Sequence, residues 1–155
     1  MRILISFILV LSFFSGSEST AQEMHWTKFE NLNDSIRKAP KPILVFIHTD
    51  WCKFCEMQDK NTFTNSEVVE KLSRDFYALK LNSESKSPIK FLNRTYTYKS
   101  TGSVTGTHQL AEFLGKKGGE LVYPTTVLLT SELNISSKET GFINTEDLLE
   151  LLNTY

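Results

Sequence analysis

Five consecutive apolar residues, Ile43-Leu-Val-Phe-Ile47, run through a four-residue turn, His48-Thr-Asp-Trp51, into two cysteines three positions apart, Cys52 and Cys55. A short unbroken run rich in β-branched side chains suits a central strand covered on both faces, so the chain must supply layers on either side of it. The rest of the chain fits that demand. Trp26, Phe29, Leu32 and Ile36 recur at helical spacing, which predicts an amphipathic helix over 26–38 that stops before Pro40 and Pro42. After the strand, Asp50 is placed to cap a helix beginning near Cys52. Asn61-Thr62 should break that helix, and a shorter one should start at Ser66-Glu67 and carry Val68, Val69 and Leu72.

A second strand is expected at 76–81. Residues 82–118 are less regular, with alternating runs at 89–92 and 95–98 around Asn93-Arg94 predicting a β-hairpin. A loop containing Gly102 and Gly106 follows, then a helix through Leu110, Phe113 and Leu114. Residues 123–129 read as a third core strand and 135–142 as a fourth paired with it. Asn144 or Thr145 should cap a last helix bearing Leu148, Leu149, Leu151 and Leu152. The order implies an α/β fold with a mixed four-stranded central sheet, part parallel through a βαβ unit and part antiparallel, flanked by helices and carrying a hairpin-plus-helix insert at about 82–118.

At 155 residues with 40% hydrophobic and 23% charged side chains, the composition is that of one ordinary globular domain. With 17 basic and 18 acidic residues there is no strong positive field, so nucleic acid is not an expected partner. The N-terminus has its own character: Ile3 to Phe14 are apolar except for Ser6 and Ser12, and Ser19-Thr20-Ala21 follow a small, polar flank. This reads as a secretory signal peptide over 1–21, too short against the roughly 20 residues a spanning helix needs. Residues 22–155 would then be one extracytoplasmic domain, periplasmic or secreted, with no stable membrane insertion after cleavage.

The chemistry is concentrated in Asp50-Trp-Cys-Lys-Phe-Cys55. Two cysteines so close constrain little chain entropy, so their value is chemical rather than structural. At a strand-to-helix turn the first sits at the positive end of a helix dipole, where thiolate is favoured, and the second lies on the same helical face, placed to resolve a mixed disulfide. Cys52 is therefore expected to be the exposed attacking sulfur and Cys55 the buried resolving one. His48, with a side chain that titrates near neutrality, and Glu56, directly after Cys55, are the candidates for proton transfer. A metal site would be the rival use of the thiols. Zinc needs four ligands, so His48 and His108 would have to converge beside them, and copper(I) suits soft thiolates better.

The chain resembles the thioredoxin family in the strand 43–47, the Trp51-Cys52-Lys53-Phe54-Cys55 motif, the Tyr123-Pro124-Thr125 segment, and the closing strands and helix in the same order. With Met57, Thr62-Phe63, the insert and His108-Gln-Leu-Ala it looks like a secreted bacterial thioredoxin-like subgroup. The resemblance implies a cis Pro124 packed against the active-site disulfide, with Tyr123 before it offering backbone groups to a bound chain and Trp51 bordering the groove. It departs from the family in two places. Strongly reducing members carry a buried Asp six residues before the first cysteine, where this chain has Phe46, and Glu56 stands where a lysine is common. The function implied is extracytoplasmic thiol-disulfide exchange on protein substrates, with reduction or isomerisation favoured, an unidentified redox partner and no cofactor. The alternatives are a binding module that docks through the insert and a copper-handling protein.

Overall fold

The computed structural model describes residues 23–155, so the segment expected to be a signal peptide lies outside the described residues. Four strands form the central sheet: β1 (Ile43–His48), β2 (Tyr77–Asn82), β7 (Thr125–Leu129) and β8 (Ile135–Thr140), in the order β2-β1-β7-β8. β1 runs parallel to β2 and antiparallel to β7, and β7 pairs antiparallel with β8. Every residue of 43–47 is fully buried, as the unbroken apolar run requires.

Alternation along β1 divides the core in two. Ile43, Val45 and Ile47 face helix α1 (Phe29–Lys38), helix α4 (Gln109–Gly115) and the aromatic side chains of the insert. Leu44 and Phe46 face the other layer, made of α2 (Lys53–Met57), α3 (Ser66–Asp75) and α5 (Thr145–Leu152). Asn65 caps α3, its side chain accepting the N–H groups of Glu67 and Val68, and Asn144 caps α5. No helix among the described residues is long and apolar enough to cross a membrane.

Three local expectations are corrected. Trp26 does not lie on the first helix, which begins at Phe29. The backbone before it is extended and Thr27 N–H donates to the Ala78 carbonyl at 2.7 Å, which sends the Trp26 ring to the opposite layer, against Phe63 and Phe46. The insert contains two hairpins rather than one. The first joins β3 (Ile89–Phe91) to β4 (Arg94–Tyr96) through Leu92-Asn93, both at positive φ, so the turn falls one residue earlier than Asn93-Arg94. The second pairs β5 (Tyr98–Ser100) with β6 (Gly106–His108). Phe91 and Tyr96 are buried in the main core against α1 and α4.

His108 is fully buried and caps α4. Its Nδ1 accepts the Leu110 N–H at 3.2 Å, which requires an unprotonated Nδ1 and leaves Nε2–H to donate to the Ser87 carbonyl, also at 3.2 Å. Burial holds this imidazole below its ordinary pKa, and burial followed by the Lys80 charge does the same to His48. The unfolded chain then binds protons that the folded chain refuses. The stabilisation is complete above the unfolded value of about 6.5 and is lost as the pH falls below it towards the folded values. The urea midpoint should therefore drop between pH 7.5 and pH 5.5, and less steeply in His108→Gln. Equal midpoints at the two pH values in the parent protein would contradict this assignment.

Candidate active site

The end of β1 fixes the site. Ile47 pairs with Thr125, the first residue of β7, which brings Tyr123 and Pro124 level with the turn that follows His48. The Tyr123–Pro124 peptide is cis, and Pro124 is buried. Its carbonyl accepts the Gly141 N–H at 2.8 Å, fastening the segment to the end of β8.

Cys52 and Cys55 form a disulfide with their Cα atoms 5.2 Å apart. Cys52, not Asp50, caps α2: its Sγ accepts the Cys55 N–H at 3.1 Å. A cap must reach an N–H two or three residues ahead, and with Lys53 as the first helical residue only position 52 does so. Asp50 instead accepts from Asn82 Nδ2 at 2.9 Å, which ties the turn to the end of β2. Cys52 is also less open than expected. It is 6% exposed against 3% for Cys55, because capping folds its sulfur over the helix start.

The surroundings of the disulfide are apolar and accessible. Trp51 is 64% exposed and Phe54 62%. The Trp51 ring meets Tyr123 edge to face at 5.8 Å between centroids, and its Nε1–H donates to Glu84 at 3.1 Å. Tyr123 and Ser83 share a short hydroxyl hydrogen bond, and burial raises the phenol's pKa. Glu84 and Ser83, where the insert leaves β2, are thus part of the rim, which spacing alone did not reveal.

Of the two proton-transfer candidates, His48 stacks on Phe46 at 5.7 Å. Glu56 is about half exposed, with Lys60 at 2.7 Å and Lys53 at 3.6 Å, and the Lys60 hydrogen bond is the first cause of its lowered pKa. His108 is committed to Leu110 and Ser87 and does not join His48. Among the described residues no cluster of three or more His, Cys, Asp or Glu is placed to hold a metal ion.

Gln58, which the sequence analysis did not single out, opens a π-helical turn, Gln58–Thr62, directly after α2. Its fully buried side chain donates to Thr126 Oγ1 at 3.2 Å and accepts the Ile143 N–H at 3.1 Å. The active-site helix is therefore locked to β7 two residues beyond Pro124. The only advance signal was an uncharged polar residue on the same helical stripe as Cys55.

The family model described as thioredoxin-like matches residues 25–109, more than half of the chain. The chain belongs to the thioredoxin-like family. Its thioredoxin-like fold is shared with a thioredoxin from Thermus thermophilus, at a TM-score of 0.60 and 13% identity over 86% of this chain and 87% of that one. In sequence it is 36% identical over 44 residues to the thiol:disulfide interchange protein DsbD of Pectobacterium atrosepticum, covering 28% of this chain and 8% of that protein. It is 30% identical over 63 residues to human spermatogenesis-associated protein 20, covering 41% of this chain and again 8% of the relative. The chain thus matches only a small part of the length of either curated relative.

Proposed function

We propose that this thioredoxin-like protein is an extracytoplasmic thiol-disulfide oxidoreductase that acts on protein disulfides. The observation that carries the reading is the Cys52–Cys55 disulfide at the end of a buried strand, level with the cis Tyr123–Pro124 bond and rimmed by Trp51. The partial match to a protein named for thiol:disulfide interchange supports it, as does the apolar segment over 3–14, read as an export signal.

The reduced protein attacks through Cys52. The thiolate displaces one sulfur of a substrate disulfide and forms a mixed disulfide. Cys55 then attacks the Cys52 sulfur, releasing the second substrate thiol and regenerating the intramolecular bond. An extended substrate segment lies against Pro124 and takes backbone hydrogen bonds from the Tyr123 region, with Trp51 on its flank. Protons leave and return through ionisable groups beside the cysteines, among them His48 and Glu56. Reduction or isomerisation is the direction assigned.

The test is equilibration of the Cys52/Cys55 pair in glutathione buffers, read by thiol alkylation, alongside insulin reduction. A potential between about −270 mV, as in a reductant, and about −180 mV, as in an isomerase, is expected. A value near about −120 mV would reverse the assigned direction. Absence of insulin turnover would favour a binding module, and copper retained by the reduced protein after dialysis would favour metal handling.

A further inference from the structure

Cys55 must lose a proton before it can attack the mixed disulfide, and the sheet beneath it carries Phe46 in place of an acid. What lies there instead is a cavity of about 170 Å³ bordered by both cysteines. Its ionisable neighbours, apart from the cysteines, come from each element around it: His48 from β1, Asp50 from the turn, Glu56 from α2, Asp59 from the π turn and Lys80 from β2. The parallel register sets Lys80 beside Phe46, on the face of the sheet that looks towards the disulfide. Lys80 Nζ lies 5.7 Å from the Trp26 ring centroid and 5.9 Å from that of Phe46, and its charge is met by Asp59 Oδ2 at 2.7 Å. Both side chains are largely covered, at 29% and 37% exposure, so the pair is neither a solvated surface bridge nor a fully desolvated one.

Asp59 reaches this position for a reason visible in the helix. Cys52, Cys55, Glu56 and Asp59 follow the i, i+3, i+4, i+7 spacing that aligns side chains on one face. Glu56, at the exposed edge of that stripe, is neutralised by Lys53 and Lys60. Asp59 turns inward to Lys80. A second observation concerns Thr49, which is 2% exposed and whose hydroxyl has no hydrogen-bond partner among the described residues. It borders the same cavity. A buried hydroxyl left unpaired is costly, and a polar cavity of this size readily holds water with several polar partners.

We propose that Asp59, anchored by Lys80, exchanges the proton of the Cys55 thiol through water held in this cavity by Thr49. The inference rests on the thiol-disulfide exchange proposed above. In the resolving step the Asp59 carboxylate takes the proton through the water and becomes a neutral acid, and Cys55 becomes a thiolate beside the Lys80 ammonium. The net charge of the cavity is unchanged. The thiolate then attacks Cys52 Sγ: a Cys55–Cys52 bond forms, the bond from Cys52 to the substrate sulfur breaks, and the substrate leaves as a thiolate. Two electrons pass from the protein dithiol to the substrate disulfide. Run in reverse, Asp59 returns the proton to Cys55 when the protein is reduced. Imidazolium formation at His48 is disfavoured by burial and by Lys80, and exposed Glu56 passes protons onward to solvent.

The experiment uses the reduced protein and oxidised glutathione as the probe disulfide, with acid quenching and mass detection of the Cys52–glutathione adduct from pH 5 to 9. Asp59→Asn should leave adduct formation within about twofold of the parent, whereas adduct decay at pH 7 should slow about tenfold or more, within the usual reach of general-base catalysis. Decay in that variant should rise steadily with pH as hydroxide takes over, and Asp59→Glu should restore the parent profile. Thr49→Val, which removes a hydroxyl that has no partner among the described residues, should keep the melting temperature and slow decay in the same direction. Parent-like decay in Asp59→Asn, or failure of Asp59→Glu to exceed it, would overturn the proton assignment, and parent-like decay in Thr49→Val would overturn the water path. A parent protein that forms no adduct at all would instead overturn the exchange reaction itself.

Discussion

Cys52→Ser is expected to reduce insulin turnover to the rate of buffer alone, and Cys55→Ser to accumulate partner proteins as mixed disulfides that persist until a reductant is added. The asymmetry follows from the site. Cys52 caps the helix and is 6% exposed, whereas Cys55 lies one turn behind it and is 3% exposed. With the first sulfur gone, only Cys55 remains in the chain, and at 3% exposure it is too buried to reach a substrate disulfide. With the second gone, attack proceeds but the intramolecular step, with the high effective concentration of a neighbour held in place, is lost. Non-reducing gels of the two variants, run beside an insulin assay, distinguish these outcomes. Turnover in Cys52→Ser above the buffer rate would refute the assignment of the attacking sulfur.

Phe46→Ala should be among the most damaging core changes. The ring is fully buried and stands between Phe63 at 4.9 Å, His48 at 5.7 Å and Trp26 at 6.1 Å, so its removal leaves a void walled by rigid aromatic groups that have little freedom to collapse into it. Truncations of this kind cost about 3–5 kcal/mol, a large share of the roughly 5–15 kcal/mol that holds a domain together. Equilibrium urea unfolding should show a much lower midpoint with an unchanged slope. A loss under about 1 kcal/mol would mean that the aromatic cluster is not packed as described. The same ring lies beneath the Lys80 ammonium, so the variant should also weaken the hold on Asp59.

The sheet was legible in the sequence because β1 is an unbroken apolar run and β7 is rich in β-branched and apolar residues, and the Cys52–Cys55 pair was legible because its spacing alone declares chemistry. Trp26 misled because a single aromatic residue fitting a helical period carries no information about where the helix begins, and a hydrogen bond to β2 decided the matter. The hairpin of β5 and β6 was missed since strands of three residues show too little alternation to register. Asp59 and Lys80 are 21 residues apart, and only the strand register brings them to one cavity. Spacing along a helix can suggest which carboxylates share a face, but not what the sheet holds opposite them.

The insert leaves and rejoins the domain at almost the same point. Ser83 N–H donates to the His48 carbonyl at 2.8 Å, and His108 N–H donates to the Ser83 carbonyl at 2.7 Å. The two stalks are therefore cross-tied to each other and to the end of β1, while the turn around Gly102 is exposed from Thr101 to Thr105. Lengthening a flexible turn to twice its size costs only about 0.6 kcal/mol in closure entropy, and here none of that strain reaches the stalks. Such a layout separates what can vary from what cannot: homologous chains are free to differ in the size and character of the exposed Gly102 turn, and so in the company it keeps, without disturbing the sulfur chemistry at its base.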